Sequence, residues 1–249
     1  MPRLRGIAFA LALFLASTGT QADNPIGNVD LALVLVTDVS RSIDDTEFRL
    51  EKDGYAAAFT AKEVLDAIAN GPEGAIAVAY VEFAGSFEAR TVLNWTVIRD
   101  LESARTFIRH LQAKPRSYWG RTAISTGIDH AAEMFRAPGL NTTRRVIDVC
   151  GDGTNNAGRE VTAARDDAVA AGITINGLAI INEHPVSWTF AHVQPPGGLP
   201  NYYRENVTGG AGSFVMEVRD FKTFGLAMTR KLVAEIASAN TLPRYAGGR

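Results

Sequence analysis

Two aspartates, two serines and a threonine carry the chemistry that stands out in this sequence. Asp38, Ser40 and Ser42 alternate in DVSRS, directly after the apolar run DLALVLV, while Thr122 lies in WGRTAIS and Asp152 in CGDGTNN. Residues at i, i+2 and i+4 of an extended chain point the same way, so the first three can reach one point. Hard oxygen donors gathered from three loops suit a divalent cation such as Mg2+ or Mn2+, which takes near-octahedral oxygen ligands and keeps several waters. Each residue also has a plainer reading. Asp38 and Ser40 could cap the helix that begins near Asp44, Thr122 could cap the next one, and Asp152 followed by glycine makes a common turn. A shared ion accounts for all five together.

The elements around them must bring these loops to one place. Short β-branched runs alternate with longer amphipathic ones. Strands are expected over 30–38, 75–84, 89–98, 143–152, 173–181 and 213–220, and helices over 44–70, 99–114, 121–137, 159–172 and 221–239. This order predicts an α/β fold: a Rossmann-like, doubly wound, mostly parallel sheet with helices on both faces. The short gap between 75–84 and 89–98 predicts one antiparallel edge strand. Ligands of such sheets sit outside the carboxyl ends of the parallel strands, which is where all five oxygens fall. Residues 182–212 show little periodicity, with room for a short helix around Tyr202 to Asn206. This long loop contributes Trp188, Tyr202 and Tyr203, which with Trp119 are candidates for a partner-facing surface, since aromatic anchors dominate many interfaces.

Composition narrows the function classes. The 249 residues are 46% hydrophobic and 21% charged with a formal net charge of −2, values of an ordinary globular protein with no basic surplus for nucleic acid. Arg3 and Arg5 precede IAFALALFLA and a small-residue stretch ending at Ala22, the pattern of a secretory signal peptide over 1–22. The apolar run is too short for a stable membrane span. A periplasmic or extracellular location is expected, with residues 23–249 forming one domain whose core runs over about 28–240. Cys150 is the only cysteine, so no intrachain disulfide forms, and its place after RRVIDV predicts a buried strand end rather than a nucleophile. His110 and His130 fall in helices, and the spacing of His184 and His192 does not suit a zinc pair. Neither a phosphate-binding glycine loop nor a G-x-S-x-G elbow is present.

In order and spacing, DVSRS, Thr122 and Asp152 resemble the metal-ion-dependent adhesion site (MIDAS) of von Willebrand factor A (VWA) domains, and the resemblance runs over about 28–240. The exported form with GDGTNNAG further resembles a bacterial A-domain family of uncharacterised function. The resemblance implies that Ser40 and Ser42 bind the cation through their hydroxyls and that Thr122 does so in at least one state. Asp38 and Asp152 would act mainly through bound water and by orienting the hydroxyls. An ion held by neutral oxygens stays electrophilic and can take a glutamate or aspartate from a partner protein. The expected function is therefore metal-dependent protein–protein interaction, with no catalytic constellation. The alternative is a metal-assisted hydrolase or phosphatase in the same Asp/Ser crevice. Aspartyl phosphotransfer needs a lysine beside the nucleophile, and Lys114 is the only lysine between Lys62 and Lys222.

Overall fold

The structure, a computed structural model, describes residues 26–181 and 195–237. The expected leader, His184, Trp188 and His192 lie outside the described residues. The central sheet runs in the order β4 (Ala89–Ile98), β3 (Ile76–Phe83), β2 (Leu31–Asp38), β6 (Arg145–Gly151), β7 (Thr174–Ile180), β8 (Val215–Val218). All neighbours pair in parallel except β4, which runs antiparallel to β3 as the hairpin spacing predicts. A two-residue parallel ladder, β1 (Gly27–Asn28) with β5 (Leu140–Asn141), precedes β2 and β6.

Strand β2 explains why its sequence reads as a continuous apolar run. Leu31, Leu33 and Leu35 enter the core on one face, and Ala32, Val34 and Val36 enter the core on the other. The first face is covered by α1 (Asp45–Thr60), α2 (Lys62–Ala69), α3 (Leu101–Gln112) and α7 (Phe224–Ala237). The second is covered by α4 (Ile124–Met134), α5 (Val161–Ala170) and α6 (Leu199–Tyr202), which continues as a π-helical turn over Tyr203–Val207. Helices on both faces of a mostly parallel sheet make the fold doubly wound.

Two elements differ from expectation. The helix expected over 44–70 is broken at Ala61, whose ψ of 138° is extended. The apolar stripe already contains that break: after Tyr55 and Phe59 the helical period would fall on Lys62, Glu63 and Asp66, whereas the buried residues are Val64 and Ile68. Breaking the helix turns α2 so that these two pack towards α7. The last strand is also shorter than expected, because Asp220 ends it by accepting from the Lys222 N–H at 2.9 Å and starting a 3₁₀ turn over Phe221–Thr223.

Helix α7 is fixed to the sheet by charge as well as by apolar contact. The Lys231 ammonium, fully buried, lies 2.6 Å from Asp148 of β6 and 2.5 Å from Glu235. Asn176 of β7 donates to the same Glu235 at 2.8 Å. Among the described residues no helix is long and apolar enough to cross a membrane.

Candidate metal centre

Strands β2 and β6 deliver Asp38 and the loop with Asp152 to the same sheet edge, and the loop entering α4 brings Thr122 to them. The structure gathers all five oxygen-bearing residues. The Ser40 hydroxyl lies 3.1 Å from that of Ser42 and 3.1 Å from that of Thr122, which donates to it. Ser42 in turn donates to Asp152 Oδ1 at 2.8 Å, and the Ser40 N–H donates to Asp38 Oδ1 at 2.7 Å. All five residues are buried. Neighbouring ligands of an octahedral ion held at about 2.1 Å stand about 3.0 Å apart, so the hydroxyl spacings fit adjacent corners of one such ion.

The capping readings of Asp38, Ser40 and Thr122 do not survive the geometry. The cap of α1 is Asp44, which accepts from the Thr46 and Glu47 N–H groups while Glu47 accepts from Asp44 in return. Helix α4 starts at Ile124 after Ala123, which offers no capping side chain, and its Ser125 N–H is satisfied from a distance by Asn155 Oδ1 at 3.0 Å. Asp38, Ser40 and Thr122 therefore cap neither helix.

The three loops owe their shape to residues that the sequence reading passed over. Arg116 is buried beneath the DVSRS loop with its guanidinium turned into backbone carbonyls. It donates to Val39 O at 2.7 and 3.2 Å, Ser40 O at 2.6 Å, Ile43 O at 2.7 Å and Tyr118 O at 2.9 Å. Asn156 holds Thr122 from both sides, accepting its N–H at 3.0 Å and donating its own N–H to Thr122 O at 2.8 Å. The TNN of CGDGTNN thus ties the Asp152 loop to the Thr122 loop.

Tyr203 corrects an expectation. Tyr203 is completely buried, so its ring is not offered to a partner; Tyr202 is half-buried and Trp119 is 58% exposed. The Tyr202 hydroxyl accepts the Asn155 N–H at 3.1 Å. The Tyr203 ring lies on Gly177 and its hydroxyl reaches Gly151: a Cβ at Gly177 would stand 2.7 Å from the ring, and one at Gly151 would stand 2.9 Å from the hydroxyl and 3.1 Å from Asp38 Oδ2. Any side chain at either glycine would displace the tyrosine. The tyrosine pair supports the site from behind, and the π-helical turn that aims Tyr203 inwards is an element often found at functional sites.

Electrostatically the site is backed by buried carboxyl groups. Glu51 of α1 is fully buried and takes the Cys150 thiol at 3.7 Å. Burial, then the charges of Asp38 and Asp152, push its carboxyl well above the usual range. Burial, and then Glu51, likewise raise the Cys150 thiol, so this cysteine is the buried, protonated strand residue its position predicts. Of the helical histidines, His110 is exposed and His130 lies 2.8 Å from the Thr91 hydroxyl, between α4 and β4.

A family described as "Protein of unknown function (DUF1194)" matches residues 28–240. The chain belongs to this family. Among curated proteins none matches the DUF1194 chain in sequence. Solved structures do match it in fold. Proximal thread matrix protein 1 from the mussel byssus, solved with a zinc-occupied MIDAS motif, aligns at 20% identity and a TM-score of 0.60 over 85% of this chain and 48% of that one. A von Willebrand factor type A protein from Catenulispora acidiphila aligns at 18% identity and 0.51, over 85% and 43%. BatB from Bacteroides thetaiotaomicron aligns at 20% identity and 0.51, over 84% and 99%. The DUF1194 chain spans about half the length of the mussel protein, and at these identities the likeness is one of fold. That fold is the VWA fold.

Proposed function

We propose that this chain is an exported, cation-dependent docking module for another protein, working in the periplasm or outside the cell. The observation that carries the reading is the Ser40–Ser42–Thr122 hydroxyl triad, with the Ser40 hydroxyl 3.1 Å from each of the other two, at the carboxyl edge of the sheet. Ser40, Ser42 and Thr122 would hold Mg2+ or Mn2+ through uncharged oxygens, with Asp38 and Asp152 orienting the hydroxyls and any bound water. A zinc-occupied MIDAS on the same fold supports a divalent ion here. When bound, the ion supplies a Lewis-acidic position for a glutamate or aspartate of the partner, because neutral ligands leave its charge largely uncompensated. The residues of the chain keep the triad together and shield its hydroxyls from bulk water.

We assign a binding rather than a catalytic role, since the buried, protonated Cys150 offers no nucleophile and the Arg116 guanidinium is engaged by backbone carbonyls. Isothermal titration with Mg2+ and Mn2+, on wild type and Ser40→Ala, tests the site. Capture from envelope extract in Mg2+ and in EDTA tests the docking. A saturable titration lost in Ser40→Ala, with a captured protein released by EDTA, is the expected result. Titration unchanged by Ser40→Ala, or turnover of generic phosphate esters that Asp38→Asn abolishes, overturns the reading.

A further inference from the structure

The loops around the site carry two exposed arginines and two exposed aromatic rings. Arg41 projects from between Ser40 and Ser42, and Arg121 stands next to Thr122; both are exposed. Among the described residues Arg41 forms no ion pair, and Arg121 meets only the neutral Asn156 Oδ1 at 3.3 Å. Two guanidinium groups with no ion-pair partner among the described residues therefore flank the hydroxyl triad. Glu88 accepts the Gly85 N–H at 2.7 Å and Asp44 caps α1, so both carboxylates are held by backbone rather than paired with either arginine.

The loops around the site also hold the two most exposed aromatic side chains among the described residues, Phe87 at 98% and Trp119 at 58%. Their loops are interlocked. A Cβ on Gly120 would stand 1.8 Å from Glu88 Oε2 and 2.9 Å from the Gly85 nitrogen, so the turn bearing Phe87 presses on the loop bearing Trp119. Arg41 N–H joins that loop at Gly120 O, 3.0 Å away, and Ser86 Oγ accepts the Gly158 N–H at 2.9 Å. Trp119 is seated over the Arg116 guanidinium at 5.4 Å, which holds the ring up rather than letting it collapse into the core.

From this arrangement we infer that the site selects a partner segment of defined chemistry, an inference that rests on the docking function proposed above. The segment has one carboxylate for the ion, a second acidic residue close by for Arg41 and Arg121, and a large apolar side chain for Phe87 and Trp119. Charge complementarity sets the acidic requirement. Two bare aromatics beside a polar mouth set the apolar one, as rigid rings supply most of the energy at such anchors.

The test is a selection from a phage-displayed random peptide library on the immobilised full chain in Mg2+, eluted with EDTA. Enriched peptides are expected to pair two acidic residues with an aromatic or large aliphatic one. A synthetic peptide of the enriched sequence should bind Arg41→Gln/Arg121→Gln about tenfold more weakly, a loss that shrinks in high salt. Trp119→Ala should cost about tenfold or more at any salt. Mg2+ titration should be unchanged in Trp119→Ala and no weaker than wild type in Arg41→Gln/Arg121→Gln, where two positive charges near the ion are gone. EDTA-released peptides that lack the second acid or the apolar residue, or that ignore both variants, overturn this inference and leave metal-dependent docking standing. Peptides retained in EDTA overturn the docking function itself, and no enrichment at all overturns the inference.

Discussion

Arg116 is the support whose removal separates position from charge at the candidate metal centre. Replacing it with methionine keeps the aliphatic bulk and deletes the guanidinium bonds to Val39, Ser40, Ile43 and Tyr118, leaving Ser40 O with only the Ile43 N–H at 3.1 Å. Three of those carbonyls belong to the loop carrying Ser40 and Ser42. A buried acceptor left without its partner costs about 1–3 kcal/mol, and water can rescue the outermost ones. The expected loss is about 3–5 kcal/mol, out of the roughly 5–15 kcal/mol that holds a typical domain folded. Urea denaturation in EDTA measures it without any contribution from bound metal. Arg116→Lys keeps the charge, but three donors on one nitrogen cannot span carbonyls that a planar fork reaches from several directions, so most of the loss should remain. If Arg116→Lys unfolds within about 1 kcal/mol of wild type, the network is not what shapes the loop. Metal titration adds a test of opposite sign. A cation beside a cation site repels the ion, so deleting it favours binding electrostatically, whereas a loosened loop disfavours it. Second-sphere support of this kind is worth about 10–100-fold in metal affinity, and we expect Arg116→Met to bind Mg2+ that much more weakly. Tighter binding would refute the positioning role.

Further perturbations address the other supports. Tyr203→Phe removes a buried hydroxyl that borders the same gap over Gly151 as Asp38 Oδ2, and should weaken Mg2+ binding about tenfold in calorimetry while shifting stability by less than about 1 kcal/mol. Lys231→Met leaves Asp148 and Glu235 buried without their ammonium and should lower stability by about 3–5 kcal/mol in denaturation; replacing all three with apolar residues of similar volume should recover most of it. Glu47 is pushed up from its usual 4.5 to about 7 by burial, despite accepting the Asp44 N–H. The folded state therefore keeps a proton that the unfolded chain releases, so this contribution is present below pH 4.5 and lost as pH rises through about 7. Wild type without metal should be relatively more stable at pH 5 than at pH 8, and Glu47→Gln should flatten that difference in denaturation curves.

How much of this was legible in the sequence follows from the range of the interactions involved. The strands were readable because β2 is buried on both faces and its apolar run is local, and the DVSRS ligands were readable because alternation at a strand end is local too. The break at Ala61 was present as a slip in the apolar stripe, although no glycine or proline marks it. The supports were not legible, for one physical reason: each acts on backbone far away in sequence. Arg116 bonds carbonyls 73 to 77 positions earlier, Asn156 clamps a threonine 34 positions away, and Tyr202 serves an N–H 47 positions earlier. A buried arginine reads as a surface charge until its carbonyls are found, and a tyrosine pair beside glycines reads as an exposed aromatic loop. Tyr203 went wrong for that reason. The glycines were the available signal, since Gly151 precedes Asp152 and Gly177 sits mid-strand in a buried β7, where a missing side chain leaves space for another element's ring. The ligand types thus state what the centre can bind, and the distant supports decide whether three hydroxyls stay close enough to bind it.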